Sequence, residues 1–182
     1  MLKALAVNWG WIVFRAILSA LYGLAVFLFP GMSMVSFVLL FGLYAVTDGV
    51  IALAITIDVR ALSGVGSLLF EALVRIGGGL FAMSSPRIVI TFPRFFAGWA
   101  ILTAVADAVV AIVLRRELAG EWPLPFASAV SAIVAVLLLL TPNTVGVPEL
   151  KWLVGPYAMI LAATQFALAR RLRQLAEEMQ AG

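Results

Sequence analysis

Six apolar stretches, each about as long as a bilayer-spanning helix, follow one another along the chain with only short breaks between them. They run from Trp9 to Phe29, Met34 to Ile57, Ala61 to Met83, Phe92 to Leu114, Pro123 to Leu140 and Trp152 to Ala169. A hydrocarbon core about 30 Å thick takes roughly 20 predominantly apolar residues per helix. The breaks carry helix-ending residues: Phe29-Pro30-Gly31, Ser84-Ser85-Pro86 and Thr141-Pro142-Asn143, alternating with the charged Asp58-Val59-Arg60 and Arg115-Arg116-Glu117. Proline cannot continue a helix, and connections this short make consecutive helices antiparallel. Of 182 residues, 64% are apolar and 12% charged. A small soluble domain leaves too much of its surface in water to hide that composition, and disordered chains lie at the opposite extreme. The sequence predicts an all-α integral membrane protein of six transmembrane helices and a single domain, 1–182.

The first stretch reads as a retained span rather than a cleaved leader. Arg15 interrupts it, and Phe29-Pro30-Gly31-Met32 lacks the small-x-small cleavage pattern. Lysine and arginine in short loops set orientation. Lys3, Arg60, Arg115, Arg116, Arg170, Arg171 and Arg173 fall on one side, Arg87 and Lys151 on the other, with Arg94 just inside the membrane. Both termini are therefore expected in the cytoplasm, with 173–182 as a short tail.

Pro30, Pro86 and Pro142 lie 56 residues apart, each in an outer turn, and other positions keep that register. Gly23 maps to Gly79 and then Ala135; Gly42 maps to Gly98, with Gly155 one position late; Arg60 maps to Arg116. Tyr44 finds Trp99 one position early and Tyr157 one late. Matched turn, small-residue and basic-loop classes at one period argue for duplication of a helical hairpin. The units span about 5–60, 61–116 and 117–172. A unit with two crossings returns to its starting side, so the copies face the same way, unlike inverted repeats. Three parallel two-helix repeats with approximate three-fold pseudo-symmetry are expected. Gly23, Gly42, Gly79 and Gly98 are the expected points of close helix packing, because lipid-embedded helices associate by close backbone approach. Small residues on the first, third and fifth helices mark these as candidates for an inner ring.

Arg15, Asp48, Glu71, Arg75, Arg94 and Asp107 fall inside the spans. A lone charge at a helix centre costs about 2.5–3.5 kcal/mol on insertion scales, so such groups pair or face a wet cavity. Arg94 is near enough to the outer surface to snorkel. Glu71 and Arg75 are spaced i,i+4, which suits a same-helix ion pair. Arg15 and Glu71 occupy the same repeat position with opposite charge; Asp48 is a second partner for Arg15 and Asp107 for Arg75. The sequence thus predicts a buried cluster of Arg15, Asp48, Glu71, Arg75 and Asp107, with Ala127 and Ser131 at the matching positions of the third unit. Two roles stay open for it. The charges either fix helix register, or form a site where a carboxylate takes up a proton on acidification and loosens the bundle.

The hairpin Arg15…Gly23…Pro30…Gly42-Leu43-Tyr44…Asp48-Gly49 resembles the HdeD family of bacterial acid-resistance membrane proteins, which are built from short two-helix repeats. The second unit, with Glu71, Gly79, Pro86 and Gly98-Trp99, is similar. The third, with Trp122, Pro142 and Gly155-Pro156-Tyr157, is more divergent, and Ala104 stands where the first unit has Asp48. The resemblance implies a bacterial inner-membrane location and a part in acid or envelope-stress tolerance, and it carries no catalytic residue.

Cysteine and histidine are absent, which removes disulfides, haem and zinc ligands and Cys/His nucleophile pairs. No cofactor or metal is expected. The basic residues form no patch with interleaved aromatics, so no nucleic acid is expected as a partner. Asp48 and Asp107 lack the Gly-rich or Tyr-Asp context of intramembrane aspartyl proteases, and no catalytic residue is assigned. A non-enzymatic membrane protein is the expected reading. The alternative is a small-solute or proton transporter or channel with its site at the charge cluster, distinguished by flux across a sealed bilayer. Lipid is the expected partner, and the sequence leaves a homo-oligomer or another membrane protein open.

Overall fold

Each apolar stretch forms one helix: α1 (Trp9–Leu28), α2 (Met34–Asp58), α3 (Val65–Ser84), α4 (Ile88–Leu114), α5 (Pro123–Leu140) and α6 (Val147–Ala181). The structure is a computed structural model that describes residues 8–29, 31–58, 65–85, 87–114, 123–141 and 146–181. Pro30, Pro86 and Pro142, and the basic-loop residues Lys3, Arg60, Arg115 and Arg116, lie outside the described residues. Among the described residues, four segments are long and apolar enough to cross a membrane: Trp9–Leu28, Met34–Asp58, Ile88–Val109 and Val147–Glu177; Pro125–Leu140 is apolar but shorter. Their outward faces are apolar too. Leu21, Leu43, Leu73, Val105 and Ile133 are each more than half exposed, a surface that a soluble monomer does not keep. The chain is an all-helical membrane protein whose outer face meets lipid.

Local chemistry explains the helix ends. Ser33 caps α2 by accepting the Ser36 N–H at 3.1 Å, supplying a partner that the first turn lacks. At the start of α6, Lys151 donates to the Phe29 carbonyl just past the end of α1, where a cation suits the helix dipole. Lys151 is 9% exposed, so the expectation that it sits in an outer loop is corrected: α6 begins at Val147, and its first turn folds the lysine against α1. α4 begins at Ile88, breaks at Thr91 (φ −107°, ψ 16°) and then continues. Pro93 thus follows the break within a first turn, where its missing N–H costs little. Helix α6 runs through Pro156 and continues past the arginines of the tail.

The most extensive contacts pair α2 with α3, α6 with α1, and α4 with α5, whereas α1/α2, α3/α4 and α5/α6 touch over less of their length. Because α6 packs on α1, the six helices close on themselves. Glycine sets two of the seams. A Cβ on Gly79 would lie 2.8 Å from the Gly42 carbonyl oxygen, and one on Gly42 would lie 2.9 Å from that of Gly79. At the α1/α6 seam, Gly23 faces the Gly155 carbonyl oxygen at 3.2 Å. Gly98 does not act in this way: a Cβ there would meet nothing within 4 Å. Its neighbour Trp99 takes the buried position, with its ring over Gly78, and one residue along a helix turns Gly98 about 100° away.

The helices expected to form an inner ring share the centre with the even ones: Tyr22 and Val26 of α1, Ala82 of α3 and Val134 and Leu138 of α5 belong to the same buried cluster. Phe37 and Phe41 of α2, Phe92, Phe96 and Trp99 of α4, and Tyr157 of α6 fill one end of the core. Phe41 contacts the rings of Phe92, Phe96 and Trp99 with centroids 5.0–5.6 Å apart, mostly edge to face as the ring quadrupoles favour. Small residues on α1 and α3 let a neighbour's backbone approach at the seams, and most of the rings in the middle come from the even helices. The opposite end holds a second cluster of Ile12, Ile51, Ile55, Ala169 and Leu172. The charged residues lie between the two.

Candidate functional site

Four helices bring five charged side chains together. Asp48 of α2 is the hub: Arg15 of α1 donates to it twice, from Nε to Oδ1 at 2.8 Å and from Nη2 to Oδ2 at 3.1 Å. This is the two-pronged geometry that makes guanidinium–carboxylate pairs strong. Arg75 of α3 adds Nε to the same Oδ2 at 2.8 Å. Glu71, one turn earlier on α3, pairs with Arg75 and stands 3.5 Å from Arg15 Nη2. Asp107 of α4 lies 3.7 Å from Arg75 Nη2. Side-chain exposure runs from 3% at Asp48 and 7% at Glu71 to 16% at Asp107. The structure thus brings Arg15, Asp48, Glu71, Arg75 and Asp107 into one network. Arg94 is exposed and stands apart.

Such a network is costly to assemble, since several kcal/mol of desolvation per ion must be offset by close, hydrogen-bonded contact. Here the apolar clusters on either side keep the ions near one another. The same arrangement makes each member expensive to remove, because its partner is left buried and uncompensated.

A second polar tier sits beside the ions. Ser19 of α1 and Tyr44 of α2 share a hydrogen bond of 3.0 Å, and Ser131 of α5 and Tyr157 of α6 share one of the same length. Ser19 also donates to Gln165 Oε1 at 3.3 Å. Ser19, Arg75 and Ser131 are 56 residues apart, so the first and third units make the same bond and the second puts an ion there. Ser128 ties α5 to α4 through the Ala104 carbonyl at 2.9 Å.

The ions and the two tyrosines line a cavity of about 130 Å3. Arg15, Asp48, Glu71, Arg75 and Asp107 all face it, as do Tyr44, Trp99 and Tyr157, the three aromatics that the repeat register groups together. Ala127, the third unit's counterpart of Arg15 and Glu71, is also on its wall. Sequence reasoning missed Tyr22, Thr103, Thr164 and Gln165, which complete the lining. The two serine–tyrosine bonds had a signal in the doubled period between Ser19 and Ser131. Tyr22 had none, because an aromatic in an apolar helix does not announce its neighbours.

Among the described residues, no three acidic side chains are placed to hold a metal ion; guanidinium groups lie between the carboxylates. The site can exchange charge partners or accept a small guest, and it offers no Ser, Cys or His nucleophile–base pair.

Residues 14–84 match the family model described as a short repeat of unknown function, DUF308, the domain that HdeD-type proteins carry. The match runs from the residue before Arg15 to the end of α3 and takes in Asp48, Glu71, Arg75 and the Gly42–Gly79 crossing, but not Asp107. No curated protein and no solved structure matches the chain. Over residues 14–84 the chain is similar to a short repeat whose function is not assigned.

Proposed function

We propose that this chain is a non-enzymatic bacterial inner-membrane protein of the HdeD type, in which a buried ion network organises the bundle and links it to acid or envelope-stress tolerance. In this reading all six helices cross the bilayer as three like-facing hairpins about a pseudo-three-fold axis, with both termini in the cytoplasm. The alternation of long and short seams around the closed set of helices supports that arrangement. So do the repeated serine–tyrosine bonds and the shared position of Arg15 and Glu71. The cytoplasmic termini rest on the arginine-rich loops and tail.

The observation that carries the reading is the network itself: three carboxylates and two guanidiniums join four helices through contacts that depend on charge. A proton taken up by Asp48 or Glu71 would remove the compensation for Arg15 and Arg75 and loosen the α1/α2/α3 junction. The test compares acid survival of cells making the native chain, Asp48→Asn or Glu71→Gln at matched membrane levels. Altered survival in the amide variants is expected; survival equal to the native chain, with both variants folded, removes the acid-stress role. Transport is the second reading, favoured by the cavity at the charges. The aromatic cluster packed at the α1–α2 turn end of the cavity argues against a continuous polar track. Proton or solute flux in proteoliposomes decides between the two.

A further inference from the structure

The network does not balance. Three carboxylates, Asp48, Glu71 and Asp107, meet two guanidiniums, Arg15 and Arg75, in a band bounded by apolar clusters on both sides. A surplus buried charge is unfavourable until a proton or a partner of opposite sign neutralises it. The surplus is also localised. Asp48 receives three short contacts from two arginines and Glu71 is paired to both, but among the described residues Asp107 pairs only with Arg75, at 3.7 Å, beyond hydrogen-bond length. Asp107 is the most exposed of the three carboxylates, and it faces the cavity.

A second observation points into the same space. Tyr22, 5% exposed, lines the cavity, and its buried phenolic oxygen has no hydrogen-bond partner among the described residues. Its ring is stacked on Tyr44 with centroids 4.4 Å apart, so the hydroxyl cannot readily swing away to find one. Buried polar atoms are nearly always satisfied, and an orphan on a cavity wall implies an occupant.

The remaining walls define what that occupant is. Phe41, Tyr44, Phe96, Trp99 and Tyr157 line one end of the cavity, and Ile12, Ile55, Leu68 and Leu168 line the other. Aromatic faces attract cations, while the aliphatic end suits a hydrocarbon stem. A cavity of about 150 Å3 accommodates benzene, and this one is about 130 Å3, so the guest has roughly half a dozen heavy atoms. We propose that the cavity between the two apolar clusters binds a small organic ammonium ion. Its N–H groups meet the Asp107 carboxylate beside the aromatic walls, where Tyr22 Oη supplies a further hydrogen bond, and its stem points toward the aliphatic end. A water on Tyr22 with a proton on Asp107 would give no preference for an amine over an alcohol, and a bare metal ion would find no convergent set of ligands among the described residues.

The full chain in nanodiscs of zwitterionic lipid is titrated with n-butylammonium chloride, and separately with 1-butanol, sodium butyrate and sodium chloride, followed by calorimetry. Butylammonium is expected to bind at least tenfold more tightly than butanol or butyrate, with no comparable heat from sodium chloride. Asp107→Asn is expected to abolish the preference for the amine over the alcohol. Tyr22→Phe, which keeps the ring and its stacking, is expected to weaken amine binding at least threefold. Equal binding of amine and alcohol, an equal response to sodium, or unchanged amine affinity in both variants would overturn the proposal. None of these outcomes bears on acid survival, so the two readings fail separately.

Discussion

Replacing Asp48 by asparagine perturbs the ion network at its hub. Asp48 accepts from Arg15 at 2.8 and 3.1 Å and pairs with Arg75 at 2.8 Å, at 2% exposure. Removing one partner of a buried ion pair costs about 3–5 kcal/mol. The amide keeps one oxygen acceptor, and its hydrogen bond from a charged guanidinium returns about 1.5–3 kcal/mol, which leaves a loss of about 2 kcal/mol. Asp107→Asn is the internal comparison. It is isosteric, lies in the same layer and has a single 3.7 Å contact, so its cost is expected to stay below about 1 kcal/mol; both variants leave two ions of each sign, so the difference between them reports contact rather than net charge. The measurement is reversible chemical unfolding of both variants in bicelles, read by circular dichroism and tryptophan fluorescence. If the two unfold within about 0.5 kcal/mol of each other, additive noise in such comparisons, the claim that stability follows contact to the arginines is wrong.

Gly79→Ala is expected to destabilise by about 1–3 kcal/mol, because its Cβ would press on backbone atoms, the Gly42 oxygen at 2.8 Å and the Val46 nitrogen at 2.9 Å. Gly98→Ala, with open space around it, is expected to be neutral or to stabilise by up to about 1 kcal/mol through helix propensity; thermal unfolding of the pair checks both. Ser131→Ala removes the 3.0 Å bond to the Tyr157 hydroxyl, which keeps Thr103 within reach, a loss of about 0.5–1.5 kcal/mol. Adding Tyr157→Phe should cost less in that background than in the native chain, read in a double-mutant unfolding cycle.

Much of the ion network was legible because charge in an apolar helix is a strong signal. The period of 56 put Arg15 and Glu71 at one repeat position, and they lie 3.5 Å apart; the i,i+4 spacing gave the Glu71–Arg75 pair. The direct Arg75–Asp48 contact was not legible, since spacing along α3 says nothing of how far it leans toward α2. Gly98 was misread because Trp99 breaks the register by one residue downstream of the break at Thr91. That slip exchanges a seam position for a lipid-facing one. The small residues of α1 and α3 correctly marked close approach at Gly23 and Gly79. They could not say on which side of the helix the centre lies, which depends on where Phe41, Phe92 and Phe96 of the even helices find room. Tyr22 and the cavity it lines arise from tertiary packing and had no counterpart in the sequence pattern.

The closure of α6 on α1 is the contact on which the proposed ring of hairpins depends most, and it joins positions far apart in sequence. A Cβ on Gly23 would lie 3.2 Å from that of Ala158, near the lower edge of the 3.5–4.5 Å that a disulfide takes. The chain has no cysteine of its own, so Gly23→Cys with Ala158→Cys in native membranes gives a clean readout on non-reducing gels. The account predicts an intramolecular disulfide on mild oxidation, while Gly23→Cys paired with Gly98→Cys stays reduced. Failure of the first pair to close within one chain, or closure of the second, would contradict it.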